Sequence, residues 1–147
     1  MGGPAALDAA LRDQGDDVSE AVNSEPALNV IEPGSTDDTS TPAAFTANLS
    51  RLIAGSYLAM DDRMLLLEWM TGNATGDTLI RAGAPSGWNV ADKSGGAGGI
   101  RNDIAVVTPP GGHPIVLTIF TNTLDPDAAY DDALVADVAR AVLPGLD

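Results

Sequence analysis

The stretch that decides the fold is WNVADKSGGAGGIRNDIAVVTPPGGHPIVLTIFT, residues 88–121. Its apolar and β-branched runs, Trp88–Ser94, Ile104–Thr108 and Ile115–Thr121, are separated by Gly95–Gly99 and by Pro109–Pro114. Val, Ile and Thr suit a pleated, half-buried surface, and glycine and proline clusters punctuate strands. Turns this short join antiparallel neighbours only, because a parallel pair needs a long crossover. The stretch therefore predicts three consecutive antiparallel strands. After it, Asp125 is placed to cap a helix with Pro126 in its first turn. Tyr130, Leu134, Val138 and Val142 then fall on one side, with Asp127, Asp131, Asp132 and Asp137 toward solvent. An amphipathic helix directly after such a sheet is expected to cover one of its faces.

Upstream of the strands the period changes to that of helices. Thr41 can cap and Pro42 can open a helix whose Phe45, Leu49, Leu52 and Ile53 recur at helical spacing up to Gly55. Asp61 or Asp62 opens another, Arg63–Met70. Met64, Leu65, Leu66, Leu67, Trp69 and Met70 make it apolar nearly all round, which predicts deep packing. Between Asp16 and Thr41 polar residues, Pro and Gly leave only Val22, Leu28, Val30 and Ile31 as isolated apolar positions, so this long segment reads as loop. Before it, Pro4, Leu7 and Leu11 suggest a short helix closed by Gly15. The fold class is α+β, an antiparallel sheet flanked by helices.

The composition bounds what such a fold can do. The chain has 147 residues with 44% apolar residues, enough for a core in one ordinary domain. It carries 7 Lys+Arg against 21 Asp+Glu, a net charge of −14, and Lys93 is its sole lysine. With no basic stripe to neutralise phosphates, a nucleic-acid partner is not expected. Without cysteine there is no disulfide, thiolate metal site or Cys nucleophile. No run reaches eighteen apolar residues and the N-terminus lacks an apolar leader, so neither a membrane span nor an export signal is expected. The excess of Asp over Glu suits a high-salt or strongly acidic protein and bears on solubility more than on chemistry.

One triplet suggests chemistry directly. Lys93-Ser94-Gly95 places the only ammonium at a strand end beside a hydroxyl and a run of glycines, where an anion could be held against exposed amides. A strand followed by a flexible glycine turn with an exposed lysine is equally compatible with those residues. A phosphate-binding loop is not, since there the Lys follows the glycines and opens a helix. His113, in a Gly-Gly-His-Pro turn and without a second histidine, reads as a surface residue. Asp61-Asp62 and Asp131-Asp132 lack the spacing of a calcium loop and read as helix-start or solvent-face charges. No metal site is expected.

Several segments together carry a resemblance. Trp69-Met70-Thr71-Gly72-Asn73-Ala74-Thr75-Gly76, Leu79-Ile80-Arg81-Ala82-Gly83, Gly87-Trp88, Asp92-Lys93-Ser94-Gly95 and Arg101-Asn102-Asp103-Ile104-Ala105-Val106 resemble, in order and spacing, the second half of class A serine β-lactamases. The likeness runs over almost the whole chain. It implies a β-lactamase/transpeptidase-like architecture of which three of five strands are present. Residues 1–70 then belong to a helical subdomain with an omega-type loop at 16–41, and residues 71–147 to the sheet subdomain with its closing helix. The implied substrate is a β-lactam small molecule, hydrolysed through a serine acyl-enzyme, and no cofactor is implied. The parent family is secreted or periplasmic.

The resemblance also assigns roles. Glu25-Pro26-Ala27-Leu28-Asn29 is similar to the omega-loop segment whose Glu and Asn hold the hydrolytic water, which makes Glu25 the base candidate and Asn29 its partner. Lys93 and Ser94 match the residues that bind the substrate carboxylate, with Lys93 also stabilising the transition state. Gly95 opens the strand edge, and Gly96 offers the N–H of half an oxyanion hole. Arg101 matches an arginine supporting carboxylate binding, although its turn is about one residue shorter than in many relatives; its other reading is a strand-edge arginine facing solvent or pairing with one of the many Asp. Two departures stand out. The Arg–Asp pair that anchors the family's loop is replaced by Asn23 and Asp38, which can only hydrogen-bond. No Ser-x-x-Lys or Ser-Asp-Asn occurs in the sequence, so the nucleophile is absent. By itself the chain is expected to be inactive, and complementation by a first-half fragment is one route to function. The alternatives are a non-catalytic module that binds a partner supplying the missing motifs, and a penicillin-binding peptidase relative, which normally lacks the Glu-Pro-x-x-Asn water site.

Overall fold

The computed structural model describes residues 2–30, 32, 34–123, 125 and 127–146. They form two compact units, one running to Tyr57 and the other starting at Leu58.

The first unit contains helices α1 (Gly3–Asp13) and α2 (Pro42–Ala54), joined by a long loop with one 3₁₀ turn at Ala27–Asn29. Gly15 ends α1 as the sequence predicts. At φ +83° it donates to Arg12 O while the Asp16 N–H donates to Leu11 O, the paired bonds of a Schellman ending. Thr41 caps α2 by accepting from Ala44 N at 3.2 Å. Leu49 of α2 is buried, and Phe45, Leu52 and Ile53 are half-buried. The loop is tied to α2 by a buried carboxylate. Asp16 accepts from the N–H groups of Val18 and Ser19, both at 2.9 Å, from the Ser19 hydroxyl and from the Asn48 amide. Burial opposes the Asp16 charge, but the donors from Ser19, Asn48 and Val18 outweigh it and hold the carboxyl well below the usual carboxylate range.

The second unit holds α3 (Met60–Thr71), a short α4 (Ile80–Gly83), strands β1 (Asn89–Ala97), β2 (Ile100–Thr108) and β3 (Ile115–Asn122), α5 (Asp132–Val142) and a 3₁₀ turn at Leu143–Gly145. The sheet is antiparallel in the order β1-β2-β3. The glycine run predicted as a turn is mostly strand: β1 continues through Gly95 and Gly96, and only Gly98-Gly99 turns, with Gly98 at φ +54°. This two-residue connection sets Gly96 directly across from Arg101.

The core joins Val90, Ala105, Val107 and Ile119 of the sheet to Leu79, Ile80, Val135, Ala139 and Leu143. Three expectations about the helices need correction. The closing helix begins at Asp132, capped by the Asp131 side chain on Leu134 N. Asp125 accepts from Asp127 N instead, and Pro126 lies outside the described residues. Tyr130 therefore precedes the helix, and Leu134, Val138 and Val142 are on its exposed side. The side that packs carries Val135, Ala136 and Ala139. Both stripes are apolar, and the small-residue stripe wins because α4 approaches too closely for anything larger. A Cβ on Gly83 would stand 2.1 Å from Ala136 O. Finally, α3 is not deeply packed. Only Met70 is buried, while Met64 and Trp69 are 64% and 68% exposed, since β1 covers one side of this uniformly apolar helix. No helix among the described residues is long and apolar enough to cross a membrane.

Candidate functional site

The loop of the first unit closes around Glu25. Leu28 N donates to Ser24 O at 3.2 Å and Asn29 N to Pro26 O at 3.1 Å, and the Glu25–Pro26 bond is cis. This single turn brings side chains four residues apart together, and Asn29 Nδ2 donates to Glu25 Oε2 at 2.6 Å. Both residues are exposed. At the base of the loop Asp38 does the work of an anchor without an arginine. Its Oδ1 accepts from Val22 N at 2.9 Å and Asn23 N at 3.0 Å, and its Oδ2 from Asn23 Nδ2 at 2.7 Å. The Asn23 and Val22 main-chain donors, followed by the Asn23 amide, lower the Asp38 pKa. Asp38 itself sits at φ +55°, a left-handed conformation that Asp tolerates better than most residues.

In the second unit β1 presents Lys93, Ser94, Gly95 and Gly96 in succession. Strand alternation turns Ser94 inward and Lys93 outward, so Ser94 is buried and Lys93 is exposed. Its Nζ donates to Ser94 O at 2.6 Å. The Ser94 hydroxyl meets that of Thr75 at 2.7 Å, and Thr75 Oγ1 lies 2.8 Å from Asn73 Oδ1. Asn73 Nδ2 in turn donates to the fully buried Asp92 at 2.8 Å, whose other oxygen is bonded by Arg81. Space beside Gly95 is open: a Cβ there would meet nothing within 4 Å.

Arg101, across from Gly96, is 15% exposed and forked onto Asp132, with Nε to Oδ1 at 2.7 Å and Nη2 to Oδ2 at 3.4 Å. Thr78 donates to the same carboxylate, and Arg101 followed by Thr78 lowers the Asp132 pKa. Asp132 was expected in solvent and is instead the arginine's partner. The Tyr130 ring centroid lies 5.1 Å from Arg101 Cζ.

Behind Ser94 a second aspartate is buried. Asp103 accepts from Ile80 N at 3.1 Å through Oδ2, and its Oδ1 has no hydrogen-bond partner among the described residues. Burial first, and then the Asp92 charge, push its pKa up to about 7 against the opposing effects of the Ile80 N–H and Arg101.

Thr75, Asn73, Asp92, Arg81, Tyr130 and Asp132 were not singled out from the sequence as parts of a site. Period-two alternation carries a signal for one of them: Asp92 falls on the same strand face as Val90, and a carboxylate on an apolar face implies a buried partner. His113 lies exposed in the β2–β3 turn. Among the described residues no group of three or more His, Cys, Asp or Glu is placed to hold a metal.

Against this geometry stand the likenesses to known proteins. The family model described as "Beta-lactamase enzyme family" matches residues 1–145. The chain is 50% identical to Beta-lactamase 3 of Bacillus cereus over 99% of its own length and 46% of the relative's. It is 46% identical to the β-lactamase of Streptomyces albus G, over 97% of itself and 46% of that protein. Among solved structures, the class A β-lactamase of Clostridium kluyveri superposes with a TM-score of 0.96 at 44% identity, covering 99% of this chain and 56% of that one. A halotolerant bacterial β-lactamase gives 0.95 at 41% identity, covering 99% and 57%. The chain thus spans about half the length of the curated relatives it matches.

Proposed function

Because the chain belongs to the beta-lactamase enzyme family, we propose that it carries the deacylating and carboxylate-binding parts of a serine β-lactam hydrolase. The observation that supports this most is the 2.6 Å bond between Asn29 Nδ2 and Glu25 Oε2, which lets a carboxylate and an amide share one water. Glu25 takes a proton from that water as its oxygen attacks the acyl-ester carbonyl, and Asn29 orients the water through its amide. Lys93, Ser94 and Arg101 receive the substrate's carboxylate, and the Gly96 N–H stabilises the developing oxyanion. Gly95 leaves the strand edge clear for the ligand. Asn23 and Asp38 hold the loop by hydrogen bonds where an ion pair would otherwise do so. In this reading residues 1–70 belong to a helical subdomain and residues 71–147 to a sheet subdomain, and Glu25 faces an ester formed on a serine that the 147 residues do not include.

Two experiments test the assignment. Nitrocefin turnover is measured on the chain alone and after adding a first-half fragment of a relative that carries Ser-x-x-Lys and Ser-Asp-Asn. None is expected alone. With the fragment, turnover should appear, and Glu25→Gln should abolish it while an acyl adduct accumulates on the fragment by mass spectrometry. An adduct on the chain alone, or full turnover with Glu25→Gln, refutes the corresponding part.

A further inference from the structure

Tyr130 sits at the meeting of the two groups proposed to receive the ligand's anionic parts. Its ring lies over the Arg101 guanidinium, 5.1 Å from centroid to Cζ, within the range of a cation–π contact. The same ring rests against Gly96, since a Cβ built there would stand 3.1 and 3.2 Å from Tyr130 Cε1 and Cζ. Gly96 and Arg101 are cross-strand partners, so the ring caps one rung of the sheet. Below the guanidinium Asp132 takes up Nε and Nη2. Arg101 Nη1 has no partner among the described residues. Tyr130 itself is half-exposed, so its position here is not a demand of the core.

We propose that Tyr130 is a positioning residue that holds Arg101 flat across the Gly96 rung, so that its remaining N–H groups meet the carboxylate of a β-lactam in one fixed orientation. This rests on the carboxylate-binding reading above. An arginine has many rotamers, and the planar fork binds an anion best when few of them remain to be lost. The Asp132 fork fixes the guanidinium's edge, and the ring fixes its plane. Glycine at position 96 lets the ring lie this close, because a Cβ there would require the ring to give by a few tenths of an ångström.

The test is a titration of the 147-residue chain, followed by heteronuclear NMR, with benzylpenicillin and with its carboxylate methyl ester. Wild type, Tyr130→Phe and Tyr130→Leu are compared. In wild type the acid should move the Arg101 Nε–Hε, Lys93 and Ser94 signals more strongly than the ester does. Tyr130→Phe keeps the ring and should bind the acid as wild type does. Tyr130→Leu should bind the acid roughly three- to tenfold more weakly, the size of one cation–π contact, with the ester unchanged and the Arg101 Hε signal moved and faster to exchange. A merely structural role would weaken acid and ester alike. Equal acid affinity in wild type and Tyr130→Leu overturns the proposal while leaving the carboxylate reading intact. If acid and ester act alike on wild type, the carboxylate reading fails and the positioning role falls with it.

Discussion

Replacing Asp103 with Asn should remove a pH dependence that the wild-type fold carries. Asp103 is fully buried, one of its oxygens lacks a partner among the described residues, and Asp92 adds a neighbouring negative charge. Its pKa stands at about 7 in the fold against 3.8 in the unfolded chain, so the folded state keeps a proton that the unfolded state gives up. The stability this confers is fully present below pH 3.8, declines as pH rises, and is gone above about 7. At 1.36 kcal/mol per pKa unit the whole decline is about 4 kcal/mol. An asparagine keeps the acceptor for Ile80 N and cannot ionise. Urea unfolding of both proteins between pH 4 and 8.5 isolates the effect, because acids remote from Asp103 titrate identically in each and cancel in the difference. The two should be of similar stability near pH 4, and the variant should be the more stable by several kcal/mol at pH 8. Parallel stability curves across that range would refute the argument that Asp103 is buried with its proton.

Further outcomes follow from single residues. Gly83→Ala should destabilise the sheet unit by about 3 kcal/mol or more, because its Cβ would meet the α5 backbone at Ala136 O, 2.1 Å away; thermal melting measures it. Asp38→Ala removes the acceptor of the Val22 and Asn23 N–H groups and places alanine at a left-handed φ, so limited proteolysis between residues 20 and 39 should speed up. In wild type the same clamp should be intact at neutral pH and loosen only as pH falls below the ordinary carboxylate range, because the folded Asp38 pKa is lowered. Thr41→Ala should cost about 1 kcal/mol through loss of the α2 cap, read by urea unfolding.

The order of the strands was legible in residues 88–121 because each run is rich in apolar and β-branched residues and each break is rich in glycine or proline. The helix caps were legible for a similar local reason: Thr41 and Gly15 act on backbone groups within a few residues of themselves. Which side of α5 packs was not. The stripe of Leu134, Val138 and Val142 is the more hydrophobic, and hydrophobicity alone selects it. The packed stripe is decided by Gly83, fifty residues away, whose missing side chain lets two backbones touch. The site divides in the same way. Glu25 and Asn29 meet through one local turn, whereas the partners of Ser94, Arg101 and Asp103 come from distant segments that no spacing rule joins. The α3 helix marks the limit of inference from periodicity: apolarity on all sides states what a helix requires, and within this chain β1 meets only one side of it.

The charge balance that argues against a polyanionic partner says nothing against a single carboxylate. A net charge of −14 repels anions over long distances, but at physiological ionic strength charges beyond about 8 Å are largely screened. What an arriving carboxylate meets is local. Arg12, Arg81, Arg101 and Arg140 are each paired with at least one Asp or Glu. Lys93 is exposed on β1 and donates to a main-chain carbonyl. The pairing of Arg101 is of a particular kind, because a fork through Nε and Nη2 leaves Nη1 for another acceptor. The cations placed to meet it beside β1 are Lys93 and Arg101, the latter held by Asp132 and Tyr130, and the acidic remainder of the surface bears mainly on solubility. Under the carboxylate-binding proposal, an acidic protein keeps a carboxylate-selective strand by leaving one lysine out of ion pairs and one arginine only half used.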